Sequence, residues 1–168
     1  MRRPDDLPAN ASGTASKPSK STTHPFWRWF WLAFLAVSLG YAWYSFYVPS
    51  NDVVWAEDIA SARQLASTSG KNVMLFFTAD WCVPCRIMKR EVFADRETMT
   101  AINAQVVPVM IHADDPGGQE LFSQYKIGGT PVTIFTDPKG NVIDYAVGKI
   151  GKMAFREMLE NLGSADSE

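Results

Sequence analysis

Cys82 and Cys85 are the only cysteines in this chain of 168 residues. They stand as Cys82-Val83-Pro84-Cys85 between an apolar run, Asn72-Val73-Met74-Leu75-Phe76-Phe77-Thr78, and a stretch of helical spacing from Arg86 to Phe93. The apolar run reads as a buried strand. A Cys-x-x-Cys pair at a strand-to-helix junction suits thiol–disulfide exchange. The first thiol lies near the helix N-terminus, where the dipole and free amide hydrogens stabilise a thiolate. The second lies one turn on, close enough to close a disulfide and to resolve a mixed one. On this reading Cys82 is partly exposed and Cys85 more buried.

Two other uses of the pair are weaker. Structural zinc needs four nitrogen or sulfur ligands. Only His24 and His112 could join the cysteines, and His24 falls across the apolar segment described below, so no metal is expected. A purely structural disulfide would close a very short loop, whereas loop-closure entropy favours long ones.

A second signal lies downstream, where Ile127-Gly128-Gly129-Thr130-Pro131 precedes the strand-like run Val132-Thr133-Ile134-Phe135-Thr136. The double glycine is expected to break the preceding helix. A proline opening a strand has no amide hydrogen to give a ladder. A cis peptide bond, largely a proline feature, is one reason for its position; an ordinary trans proline in a loop is the other.

Trp81-Cys82-Val83-Pro84-Cys85 after a strand, with Gly129-Thr130-Pro131 about 45 residues on, resembles the thioredoxin superfamily. In closer detail, Ala79-Asp80-Trp81-Cys82-Val83 and Glu91-Val92-Phe93-Ala94-Asp95 resemble the C-terminal thioredoxin domain of the transmembrane disulfide reductase DsbD and related membrane-anchored thioredoxin-like proteins. The likeness runs over about residues 55–162. It implies an α/β thioredoxin-like fold, a central mixed sheet flanked by helices. It also implies Cys82 as attacking thiol, Cys85 as resolving thiol, and Pro131 as a cis-proline beside them. Trp81, Thr130 and Pro131 are then the expected substrate contacts, with the Thr130 backbone pairing with a substrate strand. The redox-active disulfide Cys82–Cys85 would serve without a further cofactor.

The chain also departs from that pattern. Many thioredoxins carry a buried Asp six residues before the first Cys, and Phe76 holds that position here. The strand from Gln105 to Ile111 lacks the lysine that often accompanies that Asp. Losing both is consistent, because a buried charge without its partner is expensive. Asp80 and Glu91 remain as candidates to deprotonate Cys85, against the reading of both as surface carboxylates.

The frame around this region is divided. Residues 1–25 are rich in Pro, Ser, Thr and Ala and read as a disordered tail. Residues 26–48 read as an uncleaved transmembrane signal anchor. Trp29–Val48 alone holds 20 residues and no charge, enough for a hydrocarbon core of ~30 Å at ~1.5 Å per residue. Trp27, Trp29 and Trp31 crowd one end and Trp43, Tyr44 and Tyr47 the other, like the aromatic belts of a spanning helix. The exit lacks the small-residue pair of a cleavage site. Arg2, Arg3, Lys17, Lys20 and Arg28 precede the span, and the next basic residue after it is Arg63. The positive-inside rule then puts the N-terminus in the cytoplasm and the rest in a bacterial periplasm, single-pass at the inner membrane.

Residues 49–54 read as a tether, 55–163 as one domain and 164–168 as a disordered tail. Trp55, Ile59, Ala62 and Ala66 have helical spacing, with Gly70 as a stop. Asp95 is an N-cap candidate. Gln105–Ile111 is a strand interrupted by Pro108, Asp114–Gly118 a loop and Gln119–Tyr125 a helix. Asp137–Asn141 turns a hairpin between 132–136 and 142–147, and Met153 to Leu162 forms a last amphipathic helix. The order α-β-α-β-α-β-β-α predicts a mixed sheet with helices on both faces. The chain carries net charge −2, and its outer part lacks the basic patch that a nucleic-acid surface needs.

The expected function is a membrane-anchored thiol–disulfide oxidoreductase that reduces disulfides of periplasmic proteins. A disulfide oxidase or isomerase, or a binding or metal-delivery module of the same fold, are the alternatives. The expected partners are disulfide-containing protein substrates and membrane lipid, around a monomer. The span has no cysteine to relay electrons, so a separate membrane thiol reductase is expected as donor.

Overall fold

The computed structural model describes residues 25–165. The tail expected at 1–25, all but its last residue, lies outside them, as do residues 166–168. Two compact units divide at Ser45/Phe46. The first contains almost all of helix α1 (Pro25–Phe46), whose 22 residues are long and apolar enough to cross a membrane. Its aromatic side chains are exposed, Trp29 and Trp43 by 72% and 76%.

The second unit holds α2 (Ile59–Ser69), β1 (Asn72–Thr78), α3 (Val83–Glu91), α4 (Arg96–Gln105), β2 (Val106–His112), α5 (Pro116–Gln124), β3 (Val132–Thr136), β4 (Val142–Val147) and α6 (Lys152–Ala165). The sheet order is β2-β1-β3-β4. β1 pairs parallel with β2, Phe76 beside Met110, and antiparallel with β3, Phe77 opposite Val132. β3 and β4 form the expected hairpin, closed by Asp137 N–H to the Asn141 carbonyl at 2.9 Å.

Alternation along β1 decides the two layers. Met74 and Phe76 face α3, α4 and α6, packing with Met88, Ile102, Phe155 and Leu159. Val73, Leu75 and Phe77 face α2 and α5, packing with Ala62, Ala66, Leu121 and Phe122. All seven residues of β1 are buried, the expected fate of a central strand covered on both faces.

Several boundaries differ from the sequence reading, each for a local reason. Helix α2 starts at Ile59 rather than near Trp55, because Asp58 and Ser61 form a capping box: Asp58 Oδ1 accepts from Ser61 N–H at 2.7 Å, and Ser61 Oγ from Asp58 N–H at 3.2 Å. Trp55 instead packs its ring 5.4 Å from Phe93. Gly70 ends α2 in the left-handed conformation, φ 67°. Helix α5 begins inside the expected loop, with Pro116 at its first turn. Gly118 makes this possible: a Cβ there would lie 1.8 Å from the His112 carbonyl oxygen. α5 ends at Gln124, ahead of the double glycine. α6 runs to Ala165, into the stretch expected as a tail.

Pro108 does not interrupt β2. Its carbonyl accepts from Ala56 N–H at 2.8 Å on the side away from β1. Its nitrogen therefore faces that outer edge too, where the missing hydrogen breaks no bond to β1. The expected tether is docked from Asp52 onward. Val54 N–H donates to Asn103 Oδ1 at 3.0 Å, Asn103 Nδ2 to the Asp52 carbonyl at 2.9 Å, and Val53 is buried.

Candidate functional site

β1 ends at Thr78, and the chain turns through Ala79, Asp80 and Trp81 before α3 starts. The turn is fixed to the neighbouring strand by Ala113 N–H donating to the Thr78 carbonyl at 2.9 Å. Cys82 is the N-cap of α3, with φ −76° and ψ 100°, and Pro84 lies in the first turn. Pro is tolerated there because the first-turn N–H groups have no partner within the helix. Cys82 Sγ accepts from Cys85 N–H at 3.2 Å. The two sulfurs form a disulfide, with Cα atoms 5.3 Å apart.

The same sulfur therefore sits where a negative charge would meet a backbone N–H and the positive end of a helix. That favours the thiolate once the bond is opened. Cys82 is 2% exposed and Cys85 fully buried. The expected partial exposure of Cys82 is not seen with the disulfide closed, since its sulfur turns inward to Cys85 and to that N–H. Its flanking side chains are open: Trp81 is 69% and Val83 51% exposed.

Thr130 and Pro131 precede Val132, which pairs with Phe77. They lie at the same end of the sheet as the turn leading to Cys82. The Thr130–Pro131 bond is cis, as the sequence reading allowed. Pro131 is buried and Thr130 half-buried, its hydroxyl without a hydrogen-bond partner.

Phe76 fills the position at which an acid was missed. It is fully buried, its ring 4.8 Å from Phe93 and 6.5 Å from Trp55. Asp80 and Glu91 are surface carboxylates. Asp80 is 84% exposed beside His112, Nδ1 to Oδ1 3.5 Å, and Glu91 pairs with Lys149 at 3.2 Å. Arg86 Nη1 donates to the Asp80 carbonyl at 3.1 Å. Lys89, half-buried on α3, has its ammonium pKa lowered chiefly by loss of solvent, with the Asp80 charge opposing that shift.

A model of the thioredoxin-like domain family matches residues 59–163. The chain belongs to that family. This thioredoxin-like chain is 37% identical over 81 residues to thiol:disulfide interchange protein DsbD 2 of Pseudomonas aeruginosa, covering 46% of the chain and 14% of that protein. The chain thus spans about a seventh of the length of the curated relatives it matches. Its fold is similar to a thioredoxin from Thermus thermophilus, with TM-score 0.58 and 28% identity over 63% of this chain and 84% of the other. It is also similar to the oxidised C-terminal domain of DsbD from Neisseria meningitidis, with TM-score 0.52 and 24% identity over 61% and 90% of the two chains. The thioredoxin-like chain therefore combines a thioredoxin fold and a Cys-x-x-Cys disulfide with likeness to thiol–disulfide interchange proteins.

Sequence reasoning weighed His112 only as a metal ligand and did not single out Arg86 or Lys89. The parallel register of β1 and β2 sets His112 beside Thr78 and so within reach of Asp80. That pairing is non-local, and no spacing along the chain signals it.

Proposed function

We propose that the chain is a membrane-anchored thiol–disulfide oxidoreductase that reduces disulfides of proteins outside the cytoplasm. One observation carries the chemistry: Cys82 caps α3, its sulfur accepting from Cys85 N–H. In the reduced pair the Cys82 thiolate attacks a substrate disulfide. A Cys82–substrate bond forms and the displaced substrate thiolate takes up a proton. Cys85 then loses its proton and attacks the Cys82 sulfur, releasing the second substrate thiol. Two electrons pass to the substrate and the Cys82–Cys85 disulfide remains. Trp81, Thr130 and Pro131 are the substrate contacts in this reading. Resetting the pair takes two electrons from a separate membrane thiol reductase.

The anchoring rests on α1, on its aromatic ends and on the excess of basic residues before it. The likeness to thiol:disulfide interchange proteins supports exchange chemistry, and the reductive direction is taken from the sequence resemblance to the disulfide reductase family.

The test is a glutathione redox titration of the full chain, followed by trapping. A two-electron potential near that of thioredoxin, about −270 mV, supports a reductant, and one near −120 mV makes the chain an oxidant instead. Iodoacetamide should modify Cys82 first after mild reduction. Preferential labelling of Cys85 would reverse the two roles.

A further inference from the structure

The resolving step needs a base for Cys85, which is fully buried. The rung of the sheet that pairs Phe76 on β1 with Met110 on β2 is apolar on both strands and cannot take its proton. The next rung on the same face pairs Thr78 with His112. Side chains two apart on a strand share a face, and so do register partners on neighbouring strands. Phe76 lies in the layer that holds Cys85 and Met88 of α3, and Met110 packs against that layer. Thr78 and His112 therefore belong to the same face, at the end of β1 from which the chain turns to Cys82.

Two observations single out this rung. Thr78 is fully buried, and its hydroxyl is shut from solvent without a hydrogen-bond partner while the Cys82–Cys85 disulfide is closed. A buried hydroxyl left unpaired is costly, and a native one calls for an explanation. Opening the disulfide provides one, because it gives Cys85 a thiol that can donate and accept. His112 reaches the other way. Its side chain is 30% exposed, with Nδ1 3.5 Å from Asp80 Oδ1 on the open turn. The rung thus runs from a buried hydroxyl to an imidazole that meets solvent, and imidazole is a common proton shuttle.

Among the charged groups around His112, Asp80 faces the ring from the turn. Arg86 and Lys89 of α3 engage Asp80, one through its carbonyl and the other through its charge. On the side of α2 and α5, Glu57, Asp58, Arg63, Asp115 and Glu120 line a pocket that His112 also borders. Glu97, near the start of α4, pairs with Arg156 of α6.

We infer that Thr78 and His112 carry the proton away from Cys85 in the resolving step. In the mixed disulfide the Cys85 S–H bond breaks as Thr78 Oγ1 takes its proton and hands its own to the imidazole. The Cys85 thiolate attacks the Cys82 sulfur, the Cys82–substrate bond breaks, and the substrate sulfur leaves as a thiolate. The imidazolium returns its proton to solvent, and the departing thiolate takes one up. This rests on the thiol–disulfide reading above and names the base for its second thiol.

The test mixes the reduced full chain with one equivalent of a small aromatic disulfide whose released thiolate is coloured. The first release reports attack by Cys82, and the second reports resolution by Cys85. His112→Ala and Thr78→Val should each slow the second release roughly ten-fold or more at neutral pH, within the reach of general acid–base catalysis, and leave the first release at its parent rate. The loss should shrink as pH rises, because hydroxide then removes the Cys85 proton directly. Added imidazole should speed the second release of His112→Ala, and Thr78→Ser, which keeps the hydroxyl, should match the parent. A second release unchanged in either variant, or slowed equally at every pH, overturns the inference. A fall of both releases alike overturns it too, by reducing the rung to a structural role. Reduction of a disulfide-linked protein, run alongside, tests the other reading. A chain whose second release depends on His112 but which leaves protein disulfides intact upholds the relay and removes the reductase reading. A chain that reduces them with a second release indifferent to His112 overturns the relay alone.

Discussion

Phe76 is the sharpest place to perturb this molecule, because it replaces an acid with a ring at the centre of the fold. Phe76→Leu keeps the site apolar. It forfeits edge-to-face contact with Phe93 at 4.8 Å, worth ~0.5–1.5 kcal/mol, and some packing, so a loss of about 1–2 kcal/mol is expected. Phe76→Asp removes a fully buried ring, by itself ~3–5 kcal/mol. It also buries a carboxyl between Met110 and Thr133 across the sheet and against Trp55 and Phe93. None of these is a cation. Burial then raises the folded pKa of the introduced carboxyl above its unfolded value of ~3.9. A raised pKa penalises the ionised form, so the deficit relative to the parent chain grows as pH rises from about 4 and levels off above the folded pKa. With a domain stability of ~5–15 kcal/mol, the aspartate variant should be close to unfolding at neutral pH. Urea titrations of parent and variants at about pH 4.5 and 7.5 measure this, read by far-UV circular dichroism. A deficit for Phe76→Asp below ~2 kcal/mol, or one equal at both pH values, would refute the argument that this position rejects an acid.

Three further outcomes follow from the geometry. Gly118→Ala drives a Cβ into the His112 carbonyl and should cost ~1–3 kcal/mol by overpacking, whereas Gly117→Ala, with open space around it, should be neutral or stabilising in thermal melts. Asp95→Ala should cost ~1 kcal/mol as a lost N-cap of α4. Asp95 has its pKa lowered by hydrogen bonds from the Thr98 hydroxyl and N–H and by Lys152, so its contribution is present above the unfolded carboxylate range and is lost as pH falls through the lower folded value; the gap between parent and variant should close in acid denaturation. Reporter fusions placed after Val48 should be active only outside the cytoplasm, and cytoplasmic activity would reverse the proposed orientation.

What the sequence made legible was local. The Cys-x-x-Cys pair lay between an apolar run and a helical one, Gly70 and Asp95 carried their own cap chemistry, and Asp137–Asn141 had a turn's composition. These signals act within a few residues, and the structure bears them out. The helix start at Ile59 was missed because Trp55 fell in phase with Ala62 and Ala66, while the Asp58–Ser61 box that sets the start has no glutamate or glutamine to advertise it. Pro108 was read as a break because its strand's position at the sheet edge is a tertiary fact.

The backbone bond from Ala56 to Pro108 has a practical corollary for anyone cutting this chain. The family match begins at residue 59, and a soluble fragment started there would discard Val53, Trp55 and Ala56. The first two belong to the core packing around Phe93, and the third shields the outer edge of β2. Such a fragment would expose an unpaired strand flank on that side as well as at β4, leaving a sheet open at both borders and prone to stack into aggregates. A fragment that opens at Asn51 keeps the indole nitrogen of Trp55 bonded to Asn51 Oδ1 and retains a lateral seal on one border of the sheet.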